Sequence, residues 1–108
     1  ERSRGLGDVY KRQPEASASI LKTFSEETRK SIDLLRDALE GKDREEASRI
    51  SHKLIPLFTM LGANSLVQHL RILEKNDEEL TDSGWYHLLG EVIEQALAIV
   101  KDAESAIG

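Results

Sequence analysis

Residues 50–63 read ISHKLIPLFTMLGA. The apolar positions Ala47, Ile50, Leu54, Leu57, Phe58 and Leu61 recur at the three-four spacing of an amphipathic helix. At 100° per residue they fall within roughly 100° of arc, whereas His52 lies about 175° from the centre of that arc. The stripe therefore predicts a helix that buries its leucines and turns His52 to solvent. Around His52 on the outer face stand Glu45, Ser48, Arg49, Ile55, Pro56 and Thr59. Two of these are apolar, with nothing in their own helix to cover them, which marks a contact surface for another macromolecule. Pro56, four residues after the histidine, removes the amide that would bond to the His52 carbonyl and crowds it with its ring. A modest bend is expected there, with water satisfying the carbonyl on the exposed side.

Outward from this stretch the same period continues. Pro14 suits a first helical turn, and Ile20, Leu21, Phe24, Thr28, Ile32, Leu35, Ala38 and Leu39 carry a stripe to a stop at Gly41. That is one long helix or two nearly collinear ones. Asp43 with Glu46 three residues later gives a capping-box start to the His52 helix, which Gly62 ends. Asn64 or Ser65 caps a third helix whose Leu66, Leu70 and Leu73 face inward. KNDEELTDSG, residues 75–84, reads as a loop. A fourth helix runs from about Ser83 towards Ala106, with Trp85, Leu88, Leu89, Val92, Ile93, Ala96, Ile99 and Val100 apolar. No segment alternates with a strand's period of two. The expected fold is all-α, an up-down antiparallel four-helix bundle over residues 14–108.

The first thirteen residues, ERSRGLGDVYKRQ, share none of this periodicity. Their end, DVYKRQ, resembles an in-frame translation of a sequencing-library adapter, so residues 1–13 are read as a non-native leader, adapter-derived or a linker. The 108-residue chain carries a net charge of −5, to which the leader contributes +2. An acidic balance argues against a nucleic-acid partner, which needs a basic face. No apolar run is long enough to span a bilayer, and no contact with a membrane is expected of this domain. The absence of cysteine excludes disulfides, thiolate zinc sites and cysteine nucleophiles, and suits a cytoplasmic location.

Enzymatic constellations are missing. A bundle metal site needs Glu three residues before His, and the residues there are Arg49, Leu66 and Gly84. No metal ligand set, HExxH helix, nucleophile elbow or phosphate-cradling glycine loop is found. His69 sits beside the third helix's stripe as a boundary residue, and His87 reads as a half-buried neighbour of Trp85 and Tyr86.

The run SHKLIPLFTMLGANSLVQHLRILEK, residues 51–75, resembles the histidine-containing phosphotransfer (HPt) family. His52, Leu54 and the Gly62-Ala63 pair match that family's pattern in register. ILKTFSEETRKSIDLLRDALEGKD resembles the helix before the motif, and LRILE the helix after it. Two positions depart: the family's lysine is Ile55 and its glycine Pro56, and the lysine's role is not carried onto Ile55. The resemblance implies a phosphoryl carrier. His52 would take the group from a receiver-domain aspartate and pass it to another receiver, in a phosphorelay that can include a hybrid sensor kinase in the same chain. Glu45, Ser48, Arg49, Lys53, Ile55, Pro56 and Thr59 would form the docking face. No cofactor is expected on this chain, Mg²⁺ being the receiver's. The alternative is an HPt-like bundle that docks receivers or dimerises without carrying phosphate.

Overall fold

The computed structural model describes residues 14–107, so the leader expected at 1–13 lies outside the described residues. Four helices follow one another: α1, Pro14–Gly41; α2, Arg44–Met60; α3, Asn64–Lys75; and α4, Asp82–Ile107. No strand occurs among the described residues. Each helix packs on two neighbours in a closed ring, α1 on α4 and α2, and α3 on α2 and α4. Neighbours run antiparallel: the N-terminal half of α1 meets the C-terminal end of α4 through Ser25, Arg29 and Glu104.

Two of the three links are short, and each closes with paired backbone bonds. At the end of α2, Gly62 adopts φ +75°, its N–H bonds Thr59 O, and the Ala63 N–H bonds Phe58 O. This is a Schellman closure around a glycine. At the end of α1 the same two bonds run from Lys42 to Leu39 O and from Asp43 to Ala38 O. The left-handed residue there is Lys42, φ 55°, not the glycine expected to stop the helix, because Gly41 is still helical. Asp43 then caps α2, its Oδ1 accepting from the Glu46 N–H at 3.1 Å. The reciprocal arm of the capping box is not made, since the Glu46 carboxylate turns to Arg49.

Other boundaries move for local reasons. α1 is a single helix. α3 begins after Ala63, which makes no side-chain cap, rather than after Asn64 or Ser65. The expected loop 75–84 shrinks at both ends, because Asn76 in the left-handed region closes α3 and α4 begins at Asp82. α2 runs unbroken through Pro56.

The core collects Leu21, Phe24, Ile32 and Leu35 from α1, Ile50, Leu54 and Phe58 from α2, Leu66, Leu70 and Leu73 from α3, and Trp85, Leu89, Val92 and Val100 from α4. Phe24 and Phe58 meet edge to face, with centroids 5.8 Å apart. Ile20, expected in the stripe, is instead 49% exposed, and Leu57 and Leu61 are only half buried. These three flank the stripe rather than centre it, so neighbouring helices cover them on one side only.

Candidate functional site

His52 is the central residue of α2. The buried stripe of Ala47, Ile50, Leu54 and Phe58 anchors the opposite face, and the imidazole stands 74% exposed, as the helical spacing requires. It is not free to spin. Its Nδ1 lies 2.5 Å from Glu74 Oε2, across the α2–α3 seam. A carboxylate oxygen only accepts, so this contact calls for the hydrogen on Nδ1, and in the neutral ring the lone pair then lies on Nε2.

Glu74 is itself located by α2. The Ser48 hydroxyl, one turn before His52, donates to the Glu74 backbone carbonyl at 2.5 Å. That carbonyl belongs to the last turn of α3, where no intrahelical amide remains to bond it. Ser48 thus fills an orphan acceptor and fixes the backbone that carries the carboxylate. Glu74 is the partner of His52 that reading along the chain misses. One local signal exists: a carboxylate next to the C-terminal end of a helix is opposed by the helix dipole. The pairing with His52, 22 residues away, depends on where α2 ends and how α3 returns.

The other outer-face residues divide. Glu45, Arg49, Lys53, Pro56 and Thr59 are exposed around His52, while Ser48 and Ile55 are half buried. Ile55, expected to have nothing covering it, packs against the core's margin. It lies on the same side of His52 as Ser48, whose hydroxyl reaches α3. Arg49 and Pro56 flank the other side of the ring. Arg49 makes a two-pronged ion pair with the Glu46 carboxylate, Nε to Oε1 at 3.0 Å and Nη2 to Oε2. That pair holds Glu46 below and Arg49 above their ordinary pKa ranges.

The remaining histidines sit elsewhere. His69, half buried, places Nδ1 3.0 Å from Gln95 Oε1 on α4, the boundary position expected of it. His87 is 86% exposed, not half buried, with Nε2 3.8 Å from Glu91. Trp85 occupies the core two residues earlier, which on a helix turns His87 away. Among the described residues no cluster of His, Cys, Asp and Glu could hold a metal ion, and no helix is long and apolar enough to cross a membrane.

A family model described as Hpt domain matches residues 19–106, nearly the whole bundle. No curated protein and no solved structure matches the chain.

Proposed function

The chain belongs to the Hpt domain family, whose members serve phosphotransfer in phosphorelays through response-regulator receiver domains, and from that premise we propose that His52 is the phosphoryl-accepting residue. The observation that carries the reading is the exposed imidazole whose Nδ1 is engaged by Glu74, so that Nε2 is the nitrogen open to a partner.

The chemistry follows from that placement. The Nε2 lone pair attacks the phosphorus of a receiver's aspartyl phosphate. A P–N bond forms as the P–O bond to the aspartyl group breaks, and the leaving carboxylate keeps the electron pair. The ring, still bearing hydrogen on Nδ1, becomes cationic, and the Glu74 carboxylate faces that charge as it develops. Onward transfer is the reverse step to the aspartate of a second receiver. In-line phosphoryl transfer is mainly positioning and charge neutralisation, with Mg²⁺. The metal and its acidic pocket are the receiver's, and the carrier supplies an oriented nucleophile on a docking face. Glu45, Arg49, Lys53, Ile55, Pro56 and Thr59 surround the ring and form that face. On this reading the relay is cytoplasmic and can include a hybrid sensor kinase in the same chain.

Incubation with a receiver phosphorylated on its aspartate tests the assignment. The wild-type bundle gains an acid-labile, base-stable phosphate. His52→Ala gains none, while its melting temperature barely moves, since exposed substitutions shift stability by about 0.5 kcal/mol or less. Uptake at the wild-type rate by His52→Ala refutes the reading. A bundle that binds the receiver but takes up no phosphate would be a docking module only.

A further inference from the structure

A phosphoryl group on Nε2 is a cluster of anionic oxygens, and once a receiver has departed with its Mg²⁺ those oxygens can be met only by a cation of this chain or by water. Ile55 offers none, and Ile55 lies on the Glu74 side of the ring with its side chain against the core's margin. Because Nδ1 points across the seam to Glu74, Nε2 points away from α3, towards the flank of α2 that carries Arg49 and Lys53. Of these two, Arg49 is three residues before His52. That spacing puts two side chains side by side on a helix, with Cβ atoms about 5–6 Å apart. Lys53 is the next residue, and adjacent residues do not face each other.

We propose that Arg49 is the phosphoryl-binding cation of this domain, held by Glu46 in the resting state and transferred to the phosphoryl oxygens when His52 is loaded. This rests on His52 being the acceptor. The structure holds the resting half of the exchange: both guanidinium prongs of Arg49 engage the Glu46 carboxylate. Glu46 is fixed at its backbone by the Asp43 cap and is less exposed than Arg49, 33% against 55%. The guanidinium is therefore parked within one turn of the nucleophile. It is paired with a single negative charge when the phosphoryl group is absent. A phosphoryl group at neutral pH carries −1.5 to −2 charge and three acceptor oxygens, and a guanidinium fork matches that geometry better than any ammonium does. The larger charge competes with Glu46 for the same fork. Arg71, on α3 one turn before Glu74, and Lys75, next to Glu74 and paired with Asp77, are cations of the neighbouring helix and stand on the Nδ1 side of the ring.

Phosphoramidate, which phosphorylates imidazoles without a receiver, supplies the test. Wild type, Arg49→Gln, Lys53→Gln, Arg71→Gln and Glu46→Gln are each loaded, and the phosphohistidine is followed by ³¹P NMR across pH. Arg49→Gln should raise the midpoint of the phosphoryl ionisation by about half a pH unit, the size of an exposed ion pair. It should also shift the transfer equilibrium with a receiver about threefold against the loaded carrier. Lys53→Gln and Arg71→Gln should change both quantities less. Glu46→Gln frees the guanidinium and should move both the opposite way. An unchanged midpoint in Arg49→Gln, or a larger change in Lys53→Gln or Arg71→Gln, overturns the proposal while leaving His52 as acceptor. Failure of wild type to load at His52 overturns both.

Discussion

Two histidines in this bundle each place Nδ1 on a side-chain oxygen of the next helix, His52 on Glu74 and His69 on Gln95. The bonds look alike, but the outcomes differ for two physical reasons. His69 is half buried against an amide, which can serve as donor or acceptor and therefore dictates no tautomer once its orientation is free. His52 is exposed against a carboxylate, which accepts only, so in the neutral ring the lone pair falls on the outer nitrogen, in solvent. The difference teaches that exposure alone does not make the site. His87 is more exposed than His52, and the carboxylate it meets, Glu91 at 3.8 Å, belongs to its own helix rather than to the next one.

The comparison breaks most visibly at Glu74. Glu74→Gln gives His52 the same kind of partner that His69 has. Phosphoryl uptake from a receiver should slow roughly tenfold, the low end for a hydrogen bond involving a charged group. Receiver affinity by calorimetry should hardly change. A rate equal to wild type would show that the carboxylate orients nothing that matters.

Ile55→Asp comes next. Ile55 is half buried on the core's margin, so the substitution should cost about 1–2 kcal/mol of stability as well as several-fold in receiver affinity. Equal receiver affinity for Ile55→Asp and wild type would remove this flank from the docking face.

His69→Ala marks the other side of the comparison. It should lose about 1 kcal/mol in denaturant unfolding, the usual net worth of a hydrogen bond, and retain full uptake. Loss of uptake there would make the two histidines equivalent.

The smallest expected effect belongs to a carboxylate already committed to the fold. Glu104 accepts from Arg29 at 2.6 and 2.7 Å and from the Ser25 hydroxyl, clamping α4 to α1. The Arg29 bond first, then Ser25, pushes its pKa from 4.5 down to about 2. The folded state thus binds this proton less readily than the unfolded chain. The clamp's contribution is complete above about pH 4.5 and disappears as pH falls towards 2. Glu104→Gln should flatten the fall in stability within that window and leave phosphoryl uptake at neutral pH untouched.

Much of the fold is legible in the spacing of leucines, because a stripe on each segment leaves one way to bury four faces. The same stripe turns His52 outward, and His52 is exposed where it points. What the spacing does not carry is whatever depends on the return path of the chain. Lys42 takes the left-handed position beside a glycine because the Schellman bonds of α1 must hand Asp43 to α2 in register as its cap. Glu74 meets His52 because Gly62 closes α2 where it does and Ser48 holds the end of α3. Ile55 is half covered for a related reason: the face that looks bare on one helix lies partly against its neighbours.

The most direct measurement is the position of the phosphoryl group itself. The bundle, labelled with ¹⁵N in its histidines, is phosphorylated by a receiver and its phosphorus–nitrogen couplings are read by NMR. A single coupled nitrogen is expected, Nε2 of His52, with hydrogen retained on Nδ1. Coupling to Nδ1, or to a nitrogen of His69 or His87, would contradict it.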